Sequence, residues 1–395
     1  MLPTLIKTIQ AVSTIGALAG AGYYLVCLWS AWSFLREMKA RTREQSTLEI
    51  SLPPVSILKP LKGVDPQIYE SFRSHCEQDY PTDYEIIFGV SEADDPAVQV
   101  VRRLQQEFPQ KRIELVVCAE HLGVNVKVSN LSQMLRTAHY DCLIVNDSDI
   151  RVGPEYLRCV VTPLNDPDVG VVTCLYRGIA SATPGSCLEA LGISTDFSAG
   201  VLVARSLEGG IHFGLGSTLA FRRHELQAIG GFEALADYLA DDYELGKRVS
   251  DLGRRVELAE LVVETFLPPY TLTQFFQHQL RWGRSIRDSR RGGYIGLLFT
   301  FGLPWALLAA FANFREMWPW GLLALVVVLR CAVAFVVGVK VLGDRKVLNW
   351  LLVLPLRDMM AVVVWVASFG GNTIDWRGDS FLLRDGRLIQ RSRSQ

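Results

Sequence analysis

Three clusters of carboxylates in this sequence follow stretches that read as ordered elements. Glu92, Asp94 and Asp95 come after the apolar run 84–90, Asp147 and Asp149 after "DCLIVN" at 141–146, and Asp241, Asp242 and Glu244 after "GGFEALADYLA". An Asp ahead of a helix often does no more than cap it, and Asp95 before Pro96 fits that use. Asp147 and Asp149 are harder to explain that way. Two carboxylates closing a strand can face one site and hold a hard divalent ion, Mg²⁺ or Mn²⁺, that bridges to a diphosphate. The third cluster reads equally as a solvated helix start or as the source of a general base for a hydroxyl. Lys127, in "GVNVKVSNL", either meets diphosphate charge or lies on a solvated helix face. The sequence has no GxxxxGK[ST] phosphate loop, and "GLG" at 214–216 is too weak to indicate a dinucleotide site.

The elements that position these residues follow from the pattern of apolar runs. Strand-like segments at 55–58, 84–90, 112–118 and 141–146 alternate with helical patterns at 66–78, 96–108 and 126–138. That alternation predicts an α/β fold with a mostly parallel sheet flanked by helices. Such sheets bind ligands beyond the carboxyl ends of their strands, where the acid clusters fall. Further on, Phe275, Phe276, Leu280 and Trp282 alternate with Arg281, Arg284, Arg287, Arg290 and Arg291, an aromatic and basic amphipathic helix suited to a lipid headgroup layer.

Apolar residues make up 49% of the 395-residue chain, enough for a large domain plus membrane segments. Residues 9–35 carry no charge and are followed by Arg36, Lys39, Arg41 and Arg43. This predicts an uncleaved anchor with its C-terminal flank in the cytoplasm. Residues 293–312, 318–343 and 348–371 are again apolar, and the arginine-rich tail after Asn372 is expected in the cytoplasm. Three crossings would strand that tail outside. One stretch is therefore expected not to cross: either the first, or the third, interrupted by Arg357-Asp358. The division is 1–35 anchor, 36–291 cytoplasmic α/β domain ending in the interfacial helix, 292–371 membrane region and 372–395 basic cytoplasmic tail. A net charge of −1 argues against nucleic acid as a partner. The eight cysteines are scattered without a CxxC pair, and the six histidines without HExxH, so neither a disulfide framework nor a zinc site is expected. Asn130-Leu131-Ser132 matches a glycosylation sequon but falls in a predicted helix on the cytoplasmic side.

In this order, "VSILKPLKGVDP", "DDPA", "GVNVKVSNL", "DSDIRV", "DDYELGK", "LRW" and the "WRG" at 376–378 resemble the inverting GT-A glycosyltransferases, above all the ceramide glucosyltransferase family. The resemblance implies a UDP-sugar donor, a lipid acceptor and a divalent metal. It implies that Asp95, with Glu92 beside it, lies near the uridine and that Asp147 and Asp149 form the metal pair. Asp242, next to Asp241, would be the catalytic base, with Lys127, Arg281 and Trp282 around the diphosphate. His278 departs from the family's Gln or Arg at the first position of the motif that ends in Arg281-Trp282. "CEQDYP", "RVGPEYL" and "VTCLYRG" resemble a hopanoid-associated branch that transfers N-acetylglucosamine to bacteriohopanetetrol, so glucose with ceramide and N-acetylglucosamine with a hopanoid are both expected substrates. That branch places the protein in a bacterial inner membrane. A processive polysaccharide synthase and a catalytically silent membrane scaffold are the readings from other classes.

Overall fold

The computed structural model describes residues 2–45, 52–376 and 379–390. Helix α1 (Leu2–Gln45) leads to β1 (Val55–Pro60), α2 (Ile68–Cys76), β2 (Tyr84–Val90), α3 (Ala97–Glu107), β3 (Arg112–Val117), α4 (Val126–Leu135) and β4 (Cys142–Val145), the predicted alternation. β1, β2 and β4 are buried along their whole length. Strands covered on both faces read as unbroken apolar runs, which is why they are visible in the sequence. β1 pairs in parallel with β2 and β4, and β2 with β3.

The second half of the domain is less regular. It comprises β5 (Ile150–Arg151), α5 (Tyr156–Val161), β6 (Val169–Ile179), α6 (Pro184–Gly192), α7 (Ser198–Leu207), β7 (Leu219–Arg222), α8 (Arg223–Ala228), α9 (Asp241–Asp251) and β8 (Arg255–Phe266). The sheet order is β3-β2-β1-β4-β7-β6-β8-β5, with β7 antiparallel to both β4 and β6. Because Val145 pairs with Leu219, the residues entering β7 lie beside those leaving β4. The "GLGST" segment is thereby delivered to Asp147.

The chain then runs through α10 (Leu272–Ser289), α11 (Arg291–Gly296), α12 (Gly302–Ala312), α13 (Trp318–Val333) and α14 (Leu354–Ser368). Among the described residues, four helical stretches are long and apolar enough to cross a membrane: Thr4–Ala40, Pro184–Leu207, Trp318–Val341 and Arg345–Ser368. Stretches of this kind mark a membrane protein. The 293–312 stretch is divided between helices bent by 48°. Pro184–Leu207 is mostly buried, running through a π-helical turn at Ile193–Phe197 and packing on α1. Its apolar composition thus serves packing inside the protein. Helices α1 and α12 cross at Gly20 and Gly302, where a Cβ on Gly20 would stand 2.1 Å from the Gly302 backbone. Only glycine allows that approach.

Two expectations change. Residues 373–390 are not a plain tail but an antiparallel sheet of β9 (Thr373–Trp376), β10 (Asp379–Arg384) and β11 (Arg387–Gln390). The Arg284 and Arg287 side chains of α10 are not presented to headgroups either; they bond to backbone oxygens of Thr373 and Ser368. Arg377, Arg391, Arg393 and the Arg-Gly of "WRG" lie outside the described residues. Asn130 is buried, which agrees with a chance sequon.

Candidate active site

Each acid cluster is held by its own local structure. Buried Asn146 closes β4: its Nδ2 donates to Ser217 O at 2.7 Å and to Tyr156 Oη at 3.0 Å. Asp147 then turns outward, with 41% of its side chain exposed. Asp149 turns inward, accepting from Thr265 Oγ1. Asn125 caps α4, accepting from Val128 N at 3.3 Å, and so sets Lys127 on the first turn of that helix. Asp241 and Asp242 open α9, where the positive end of the helix dipole favours carboxylates.

These residues converge. Lys127 Nζ lies 2.8 Å from Asp147 Oδ1 and 3.2 Å from Asp241 Oδ2. Gly216 marks the space between Asp147 and Asp242: a Cβ there would stand 3.1 Å from Asp147 Oδ2 and 2.9 Å from Asp242 Oδ2. Any side chain would fill the gap the two carboxylates face. Fully buried Lys59 supports the cluster from beneath, donating to Asp147 O at 2.9 Å.

The charges are crowded. Burial, then the neighbouring Asp147, pushes the Asp149 carboxyl up from 3.8 to about 7. Burial, then Asp241, pushes Asp242 up to about 6, although Lys127 opposes the shift. Burial works against a charge on Lys127, but Asp147, Asp241 and Asp242 outweigh it and hold the ammonium protonated. Burial lowers Lys59 to about 7 against the pull of Asp149 and Asp147. A site with more carboxylates than cations, facing an opening left by a glycine, suits a hard divalent ion; Asp147 faces that opening, whereas Asp149 is turned inward to Thr265.

The motif helix forms another wall. His278 stacks on Tyr270 with centroids 5.3 Å apart and stands 5.5 Å from Trp282. Trp282 meets Phe197 at 5.8 Å, and Phe197 meets Tyr176 at 5.2 Å. Burial raises the Tyr176 pKa, and the charges on Asp242 and Glu189 add to it. Arg281 is close enough to Tyr270 to lower its pKa, against the larger effect of burial. Buried Glu189 accepts from Gln279 Nε2 at 2.8 Å and stands 3.4 Å from His278 Nδ1.

The first cluster serves differently. Asp95 accepts from Gly63 N at 2.9 Å and Ala97 N at 2.8 Å, so it ties the loop after β1 to the start of α3, much as its capping reading expects. Glu92 is exposed in the same turn. Among the described residues, Glu85, Glu114 and His139 also group closely enough to suggest a metal. Arg112 already occupies that group, with Nε 3.1 Å from Glu85 and 3.0 Å from Glu114. It lies at the opposite, amino ends of the strands, since Glu85 pairs with Arg112 in register.

Lys59, Gly216, Tyr176, Glu189 and Tyr270 were not picked out from sequence. Lys59 left a signal, a lysine ending a buried apolar strand, and "GLG" left a weaker one.

Comparison with known proteins agrees with this architecture. The chain is 24% identical to ceramide glucosyltransferase 3 of Caenorhabditis elegans over 96% of its own length and 83% of that protein's. It is 26% identical to ceramide glucosyltransferase 1 of the same organism over 59% of its length and 49% of that relative's. Its fold is similar to that of a mannosyltransferase from Pyrobaculum calidifontis in complex with GDP-Man and Mn²⁺, at 21% identity and a TM-score of 0.52, covering 91% of this chain and 99% of that one. The sheet is that of a GT-A glycosyltransferase. The family model for glycosyl transferase family 21 matches residues 12–389, and the chain belongs to that family.

Proposed function

We propose that this glycosyltransferase moves a sugar from a UDP-sugar to the hydroxyl of a ceramide-like lipid with inversion at the anomeric carbon. The observation that carries the reading is the convergence of Lys127, Asp147, Asp241 and Asp242 around Gly216 at the strand ends. A divalent cation held by Asp147 and Asp149 supplies positive charge to the diphosphate when bound. Lys127 and Arg281 add fixed positive charge where the leaving UDP gathers negative charge. Asp242 accepts the acceptor's hydroxyl proton while that oxygen bonds to the anomeric carbon and the bond to UDP breaks on the opposite face. A carboxyl raised to about 6 suits a base working near neutral pH. Tyr270, His278 and Trp282 stand on or just before α10, which packs against α14, so a lipid leaving the membrane helices would meet these rings. Asp95 and Glu92 border the uridine through the turn after β2.

The test uses purified protein in detergent with Mg²⁺ or Mn²⁺, UDP-glucose or UDP-N-acetylglucosamine, and ceramide or bacteriohopanetetrol. Products are read by mass spectrometry. A β-hexosylceramide is the expected product. A hexosamine on bacteriohopanetetrol would transfer the mechanism to the hopanoid branch, and a polymer would contradict single transfer.

A further inference from the structure

The small sheet β9–β11 touches both halves of the active site. It has its own core of Ile374, Phe381, Leu383 and Leu388, against which Val124 and Leu239 pack. On one side it holds the stretch that leads into α9. Leu388 N donates to Asp237 O at 2.7 Å, and Leu239 N donates to Gly386 O at 3.1 Å. Between them the Arg387 guanidinium lies 5.1 Å from the Tyr238 ring centre, and its Nε donates to the Tyr238 hydroxyl at 3.2 Å. Asp242 stands just beyond this stretch.

On its other side the sheet and the turn before it hold α10. Gly386 N donates to Asp288 Oδ2 at 2.5 Å. Arg284 donates to Thr373 O, and Arg287 donates to Asn372 Oδ1 and, at 3.2 Å, to Gly371 O. All three α10 residues lie within two turns of Arg281-Trp282. The far side of the 236–239 stretch is taken by Asn125, which donates to Ala236 O through its backbone at 2.7 Å and to Tyr238 O through its side chain at 2.8 Å. The approach to Asp242 is therefore clamped between the cap of the Lys127 helix and the C-terminal sheet.

We propose that β9–β11 is a positioning element that sets the Asp242 carboxylate against the Arg281-Trp282 helix, with Arg387 and Leu388 as its positioning residues. The inference rests on the assignment of Asp242 as the base. Proton abstraction in concert with attack needs its groups held to a fraction of an ångström, and a two-sided backbone clamp removes the loop states that would blur them. Asp147 and Asp149 are anchored by β4 and β8, away from the clamp, so a loosened clamp should cost turnover more than donor affinity. Because β9 follows α14 directly, the clamp is also tied to the membrane helices.

The test uses the full chain in detergent, with turnover expressed per UDP-binding site so that misfolded protein does not count. Leu388→Pro removes the N–H given to Asp237 O; Arg387→Ala uncovers Tyr238, and Arg387→Lys keeps a cation there. Leu388→Pro is expected to lower turnover per site by about 10²-fold with a much smaller change in UDP Kd. Arg387→Ala should show a smaller fall, and Arg387→Lys should recover part of it. Asp242→Asn is the reference. If Asp242→Asn is inactive while Leu388→Pro and Arg387→Ala turn over normally, the clamp is overturned. Loss of UDP binding in step with turnover would also overturn it, by showing a merely structural role. An active Asp242→Asn would instead remove the base assignment beneath it.

Discussion

Two regions of this molecule bury charge, and they do so in opposite ways. Between the membrane helices, Arg330 donates to Asp358 at 2.8 and 2.9 Å and to Asp196 at 2.6 Å, while Arg357 donates to Gln279 at 3.0 Å and lies 3.8 Å from Asp196. Two acids face two arginines. At the strand ends Asp147, Asp149, Asp241 and Asp242 crowd around Lys127 and Lys59, so acids outnumber lysines. Balanced charge locks these apolar helices together, since an unpaired buried ion is costly. Unbalanced charge suits the divalent ion and diphosphate proposed to bind at the strand ends. The difference separates a structural ion cluster from a chemical one.

Mutations should divide along that line, and the largest effect falls at the site. Asp149→Asn, or chelation of divalent ions, is expected to lower transfer by at least about 10²-fold, with Mg²⁺ or Mn²⁺ restoring only the chelated wild type. Sugar transfer followed by mass spectrometry measures both. Arg330→Met acts on the other region, leaving Asp196 and Asp358 without their shared cation. It should cost roughly 3–5 kcal/mol of stability, seen as a lower thermal midpoint in detergent, while the UDP Kd of the folded fraction stays the same. A smaller effect comes from pH. Asp242 must be ionised to accept a proton and carries a pKa raised to about 6, so the rate should fall as pH drops through that value. A bound divalent ion lowers the limb, and a pH profile at saturating substrate checks it. The smallest effect reverses the usual sign. In metal-free protein Asp149→Asn relieves like-charge crowding and should raise stability by on the order of 1 kcal/mol, whereas neutralising Asp358 lowers it.

The sequence showed half of the sheet and most of the acids, for a physical reason. β1, β2 and β4 are parallel and buried on both faces, so each reads as an apolar run, and a carboxylate cluster follows β2 and β4. β6, the segment entering β7, and β8 contribute Tyr176, Gly216 and Thr265 through antiparallel and long-range pairing that leaves no short pattern in the chain. The 184–207 stretch is apolar enough to pass for a membrane span yet lies largely within the protein, because composition alone does not say what covers an apolar surface. Likewise Arg284 and Arg287 have the composition of a headgroup-binding face, but their partners are backbone carbonyls at the far end of the chain. Asp95 shows the reverse case: a capping role visible locally proved to be what its carboxylate does in the structure.

The central claim is that Asp242 is the base of a transfer whose donor is held by other residues. The direct measurement pairs UDP binding with lipid-product formation in Asp242→Asn. The account predicts a UDP Kd close to that of the wild type and product formation lower by about 10²–10⁴-fold. Near-normal product formation by the variant would contradict it.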